Sequence, residues 1–221
     1  MKPTDSDKGK FTKRIRMWSI SMLMVMGLSA MVACGGDDSD DGVSVPTVKV
    51  TLTSSNLTDD GYFDGMMYYK ITSNSPLEVT VHKAEKSVIK VEIPNIVNID
   101  GKNYQCTSIS KEAFSGCSSL TSVSIPNCIT NIGNQAFSGC SSLTTVTIPN
   151  SVTSIDGGTF YGCSGLHTVT SLNQTPPIIS YSIFDDYSAT LQVPTGCKTA
   201  YQNAEYWNKF KNIVEIDPSD I

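Results

Sequence analysis

The chain has 221 residues, 39% of them hydrophobic and 17% charged, with a formal charge of −5. That length supports one domain with its own core plus a tail. The acidic balance, with no basic stripe past the N-terminal segment, argues against nucleic acid as a partner.

Lys8, Lys10, Lys13, Arg14 and Arg16 open the chain, and an uncharged apolar run from Met17 to Ala33 follows, ending at Cys34. A basic stretch, a short apolar run and a small residue before the break are the parts of a secretory signal. The run is at the lower edge of a membrane span, so a retained anchor helix is the alternative. "SAMVAC" followed by "GGDDSDD" resembles the lipobox of bacterial lipoproteins, with Val32 and Ala33 fitting the pattern and Met31 an uncommon residue at its first position. The resemblance implies that residues 1–33 are removed and that Cys34 carries lipid. Residues 34–50 then read as a tether. Its Asp37, Asp38, Asp40 and Asp41 form a solvated acidic spacer. An acidic stretch in that place resembles an export signal of some Gram-negative lipoproteins, which implies an outer-membrane, surface-exposed protein. Without residues 1–33 the chain keeps ten basic and nineteen acidic residues, a formal −9. Such a surface is repelled by anionic lipid, so membrane attachment is expected from the acyl chains alone.

Residues 51–92 read as strands and turns. "DDGYFDGMMYYKI" carries two turn signals, Asp60-Gly61 and Asp64-Gly65, and "LEVTVH" alternates apolar and polar residues from Leu77 to His82. A short antiparallel sheet is expected, with Met66, Tyr68 and Ile71 among its inward residues.

From Ile93 a period of 23 residues governs the chain. Phe114, Phe137 and Phe160 keep it, as do Cys117, Cys140 and Cys163, and Leu120, Leu143 and Leu166. Val123, Val146 and Val169 keep it too, with Ile109, Ile132 and Ile155. Such periods mark leucine-rich solenoids, in which no unit buries its own apolar face and stacking makes the core. Gly116, Gly139 and Gly162 fall where a left-handed turn residue is wanted. The stretch "EAFSGCSSLTSVSIPNCITNIGNQAFSGCSSLTTVTIPNSVTSI" closely resembles the BspA-like (Treponema-type) leucine-rich repeat. "IPNIVNIDGKNYQCTSI" resembles its degenerate first repeat, with Cys106 in the place of Ile129 and Val152 and a loop bulging around Asp100 to Asn103. "ATLQVPTGCKTAYQNAEYWNKFKNIVEI" resembles the C-terminal cap of such proteins. There Leu191, Val193 and Pro194 replay the strand and Thr195 offers a helix N-cap. Tyr201, Ala204 and Trp207 or Phe210 are expected to face the last rung. The expected fold is therefore a β-rich (α+β) leucine-rich repeat solenoid. It has a β region at 51–92, repeats over 93–172, and a terminal rung with a helix and strand cap over 173–221.

Six cysteines follow Cys34: Cys106, Cys117, Cys128, Cys140, Cys163 and Cys197. An exported chain with an even count suggests disulfides. Three of them, however, recur in one column, which leaves one unpaired, and cysteine packs as a small apolar residue. Buried free thiols are the reading. A linear ladder does not converge on zinc, and His167 aligns with Thr121 and Thr144 and is expected to point outward. Asp185-Asp186 reads as a solvated turn. No nucleophile, base and orienting group come together, so no catalytic residue, metal ligand or cofactor is expected.

What recurs on the surface is hydroxyl. Thr121, Ser122, Ser124, Thr144, Thr145, Thr147, His167, Thr168 and Thr170 are the outward strand positions. Two readings stand: threonine suits a solvent-facing strand, or the columns form a recognition face of the kind solenoids present. Tyr201, Tyr206 and Trp207 read as cap packing rather than a sugar platform. The resemblance implies a non-enzymatic surface protein in adhesion, with host or bacterial surface proteins or glycans as partners. Glycan or nutrient capture and a structural envelope spacer are the alternatives.

Overall fold

The computed structural model describes residues 48–217. The expected signal peptide, Cys34 and the tether up to Thr47 lie outside the described residues. The N-terminal strands are β1 (Lys49–Leu52), β2 (Leu57–Thr58), β3 (Gly61–Phe63), β4 (Met67–Asn74) and β5 (Leu77–Ala84). The strands β2 to β5 form an antiparallel meander, whose two Asp-Gly turns the sequence announces. Its inward set differs from the expected one. Met67 and Tyr69 are buried and Ile71, two residues on, packs half-buried against the core as expected, whereas Met66 is 46% exposed and Tyr68 is half-buried outside the core cluster. The inward residues Met67, Tyr69 and Ile71 alternate regularly, and the pairing with β5 shifts at Tyr68/Tyr69 and again at Ile71/Ser73. The Tyr69 hydroxyl donates to the Asp64 carboxylate at 2.6 Å, which satisfies the buried phenol.

Beyond them lie β6 (Lys90–Glu92), β7 (Ile96–Ile99), β8 (Lys102–Ile109), β9 (Ser122–Ser124), β10 (Asn131–Ile132) and β11 (Thr145–Ile148). The chain continues through β12 (Ser154–Ile155), β13 (Thr168–Ser171), β14 (Ile178–Ile179), β15 (Thr190–Pro194), the helix α1 (Lys198–Asn203) and β16 (Asn212–Ile216). From β6 onward these strands, β7 apart, stack in parallel on two sides of a rung. One side holds β6 beside β9, then β11, β13, β15 and β16 in order. The other runs β14-β12-β10-β8 and continues into β5 and the N-terminal meander. The N-terminal region thus covers the first rung through the parallel pairing of β5 with β8, which removes an exposed strand edge.

The extra residues of the first repeat form a hairpin. β7 pairs antiparallel with β8 across a turn in which Asp100 and Gly101 both have positive φ, 48° and 83°. β1 pairs in parallel with β7, so the chain expected to be tether through residue 50 joins the sheet at Lys49. Rungs likewise begin at β6, ahead of the boundary expected at 93.

The core is a set of columns. Phe114, Phe137, Phe160 and Phe184 stack nearly parallel at centroid spacings of 5.0, 5.5 and 5.4 Å. Tyr187 and Phe210 close the column edge-on. Ile109, Ile132, Ile155 and Ile179 form a second column in direct strand register. Cys106, Cys117, Cys140 and Cys163 are buried free thiols, and Cys197 is free and half-exposed. Their column has a purpose that an alanine would not serve. The Cys140 thiol donates to the Phe114 carbonyl at 3.2 Å and the Cys163 thiol to the Phe137 carbonyl at 3.1 Å, so each turn is tied to the rung before it. Gly116, Gly139 and Gly162 follow that phenylalanine turn with φ of 71°, 74° and 75°.

The C-terminal cap corrects one expectation. Thr195 does not cap α1, because its hydroxyl donates to the Ile216 carbonyl at 3.3 Å. The N-cap residue is Cys197, without a side-chain bond, and the Lys198 amide instead donates to the Glu215 carboxylate at 3.0 Å. Tyr201, Trp207 and Phe210 are buried against the last rung.

Candidate functional site

The outward residues of the first sheet align in columns. In strand register Lys90 stands beside Ser122, and Thr145, Thr168, Thr190 and Asn212 follow one another across four strands. A second column sets Glu92 beside Ser124, and Thr147, Thr170, Gln192 and Val214 in succession. A third lies one residue ahead of the strands. The Thr121 amide donates to the Ile89 carbonyl at 2.8 Å, Thr144 to Thr121 at 3.5 Å and His167 to Thr144 at 3.0 Å. Hydrogen bonding is interrupted between β9 and β11, so the face consists of a two-stranded and a four-stranded piece.

Of the nine expected positions, Ser124, Thr144, Thr145 and His167 are exposed, and Thr121, Ser122, Thr147 and Thr168 are half-buried. Thr170 departs from the expectation. It is 5% exposed and its hydroxyl donates to Gln192 Oε1 at 2.7 Å, so the longer amide of the next strand covers it. Thr121 is also engaged, its hydroxyl donating to the Ile89 carbonyl at 2.9 Å. His167 Nδ1 lies 3.3 Å from the Thr168 hydroxyl. The positions that sequence reasoning misses are Thr190, Gln192 and Asn212. They prolong the same columns into the cap, and the alternation in "TLQVP" was the signal for the first two. Lys90 and Glu92 are the charges at the other end of the columns, so the middle of the face offers hydroxyl groups and one imidazole without a formal charge.

The remaining chemistry is structural. Asp185 accepts the Gly162 amide through both carboxylate oxygens, at 2.6 and 2.8 Å, in place of a backbone carbonyl. Asp186 accepts the Ser188 hydroxyl at 2.6 Å and its amide at 2.9 Å, and the hydroxyl bond holds its carboxyl below the usual range. Burial pushes the thiol of Cys106 up to about 12 and that of Cys117 up to about 11. The neighbouring Cys163 thiol, together with burial, raises Cys140 further. These thiols are inert in the folded state. No group of three or more His, Cys, Asp or Glu is placed to hold a metal among the described residues, and none of their helices is long and apolar enough to cross a membrane. Tyr201 and Trp207 are buried, and the Lys209 ammonium lies 4.7 Å from the Tyr206 ring centroid.

Parallel rungs with an inner apolar ladder and an outer polar face define a leucine-rich repeat solenoid, a class typically built to bind other molecules. The BspA type leucine rich repeat family matches residues 87–213 in six copies, and the chain belongs to that family. Among solved structures it is similar to a leucine-rich repeat protein from Bacteroides ovatus ATCC 8483, at 28% identity and a TM-score of 0.49 over 60% of this chain and 36% of that one. It is also similar to the T. pallidum leucine rich repeat protein, at 23% identity and a TM-score of 0.47 over 62% of this chain and 72% of that one. A leucine-rich repeat protein from Bacteroides capillosus ATCC 29799 shares 22% identity, with a TM-score of 0.41 over 51% of this chain and 99% of that one. The chain therefore spans about a third of the length of the Bacteroides ovatus protein. No curated protein matches it.

Proposed function

We propose that the chain is a non-enzymatic cell-surface binding protein that adheres to host matrix or cell-surface proteins through the hydroxyl face of its first sheet. One observation carries the reading: Ser124, Thr144, Thr145 and His167 are exposed on consecutive rungs whose middle bears no formal charge. Such a surface costs less to desolvate than a charged one and offers many hydrogen-bonding groups, which suits contact with a protein partner. Cys34 supplies the attachment. Residues 1–33 are removed, the cysteine is lipidated, and the acidic tether sets the rungs away from the outer membrane.

The test uses cells carrying the full chain. Replacing Thr121, Thr144 and Thr168 with Lys lowers adhesion to matrix-coated surfaces while the melting temperature of the purified protein stays within a few degrees. Undiminished adhesion would remove the face from the account. Cys34→Ala releases the protein from membranes, and its retention there favours an uncleaved helix.

A further inference from the structure

The rung from Ser171 to Ile179 breaks the repeat. Ser171 stands beside Ile148, the next residue is Leu172 where two earlier rungs have proline, and Ile179 lies 24 residues beyond Ile155. Earlier rungs are 23 apart. Beside this irregular rung lies an open cleft of about 830 Å³. Asn150, Val152 and Thr153 line one side, residues 172–178 the other, and Pro194 one end. Small-molecule sites typically enclose roughly 300–1,000 Å³.

The lining holds no charged side chain. Asn150, Gln174 and Thr175 are exposed in it and make no side-chain hydrogen bond among the described residues. Beneath them the floor is fixed. Asn173, 7% exposed, donates from Nδ2 to the Pro149 carbonyl at 3.1 Å, and its own carbonyl accepts the Tyr201 hydroxyl at 2.9 Å. Tyr201 Oη is also 2.7 Å from Ser171 Oγ. At the rim Ile178 is 79% exposed, in the outward column where the two preceding rungs carry Ser154 and Asn131.

We propose that this cleft binds a neutral saccharide unit. Amides donate and accept side by side and so match neighbouring hydroxyls, while Pro176 and Ile178 offer an aliphatic surface to the C–H face of a sugar ring. An ionic ligand finds no counter-charge. An extended peptide finds no strand edge: Pro176 and Pro177 lack amides, the Pro177 carbonyl accepts Trp207 Nε1 at 2.9 Å, and the Ile178 amide donates to Thr153 at 3.0 Å. The cleft shares no residue with the hydroxyl face.

Saturation-transfer NMR on the full chain, with maltotriose, chitotriose and laminaritriose at millimolar concentration and a Gly-Ser hexapeptide beside them, tests this. At least one trisaccharide receives saturation. Its affinity drops about tenfold in the Asn150→Ala/Gln174→Ala variant, each lost hydrogen bond contributing modestly, and also drops in Ile178→Ser. It is unchanged in Thr145→Lys, which separates this site from the face. No binding by any of the three sugars, binding indifferent to the cleft variants, or binding of the hexapeptide alone would overturn the proposal.

Discussion

At the residue scale, the turns of successive rungs share two left-handed positions. The second is glycine at 116, 139 and 162, while the first is filled by Glu112, Gln135, Gly158 and Ser182, with φ between 54° and 69°. A side chain in that region costs about 1–2 kcal/mol. Gly139→Ala is therefore expected to lower the urea-derived stability by about 1–2 kcal/mol, and Gln135→Gly to raise it by about 0.5 kcal/mol, because glycine's larger unfolded-state entropy offsets part of the relief. The thiols give a pH signature. Cys106 is fully buried and its thiol is pushed from 9.0 up to about 12. Between those values the unfolded chain loses this proton and the folded chain keeps it. Stability is intact below pH 9.0 and falls as pH rises, by about 1.4 kcal/mol per unit from this thiol. Urea midpoints on both sides of that pH, compared with Cys106→Val, read the slope, which is shallower in the variant. In the folded protein at neutral pH, half-exposed Cys197 is the one cysteine from Cys106 onward expected to react with Ellman's reagent.

At the element scale, the phenylalanine column and the cap carry the stability. Phe137 is stacked on both sides, at 5.0 and 5.5 Å. Phe137→Ala removes a fully buried ring from the middle of the column and is expected to cost about 3–5 kcal/mol in chemical unfolding. Tyr201→Phe leaves Ser171 Oγ and the Asn173 carbonyl without their buried partner and costs about 1–3 kcal/mol. The rungs were legible because five apolar positions return every 23 residues, and a period repeated three times leaves little freedom for inward and outward assignment. The same logic did not reach β4. "MMYYKI" has apolar or aromatic residues at both parities, and only the packing of β4 beside β5 shows that Met67, Tyr69 and Ile71 are the inward set. Helix capping was misread at Thr195 for a related reason, since Glu215, seventeen residues away, holds the Lys198 amide. Neither partner was visible from the local pattern.

At the scale of the whole molecule, the N-terminal meander and the C-terminal helix close the two ends of a stack whose interior is apolar and whose first face is hydroxyl. The face was legible as columns of Ser and Thr. The coverage of Thr170 by Gln192 was not, because it depends on which strand follows β13 in space. The cleft beside Asn173 was equally hidden, because its lining residues come from different rungs. Binding by the face requires that a bulky charge in its exposed centre block the partner without disturbing the rungs beneath, since Thr145 lies in the outward column and Val146 carries the packing. The decisive measurement is the equilibrium affinity of Thr145→Lys for a protein captured by the wild-type chain from an extracellular-matrix array, with Gln174→Ala as control and melting temperatures taken in parallel. The account predicts at least about a tenfold loss for Thr145→Lys, equivalent to about 1.4 kcal/mol, no loss for Gln174→Ala, and melting temperatures unchanged in both. Full affinity in Thr145→Lys at an unchanged melting temperature would contradict it.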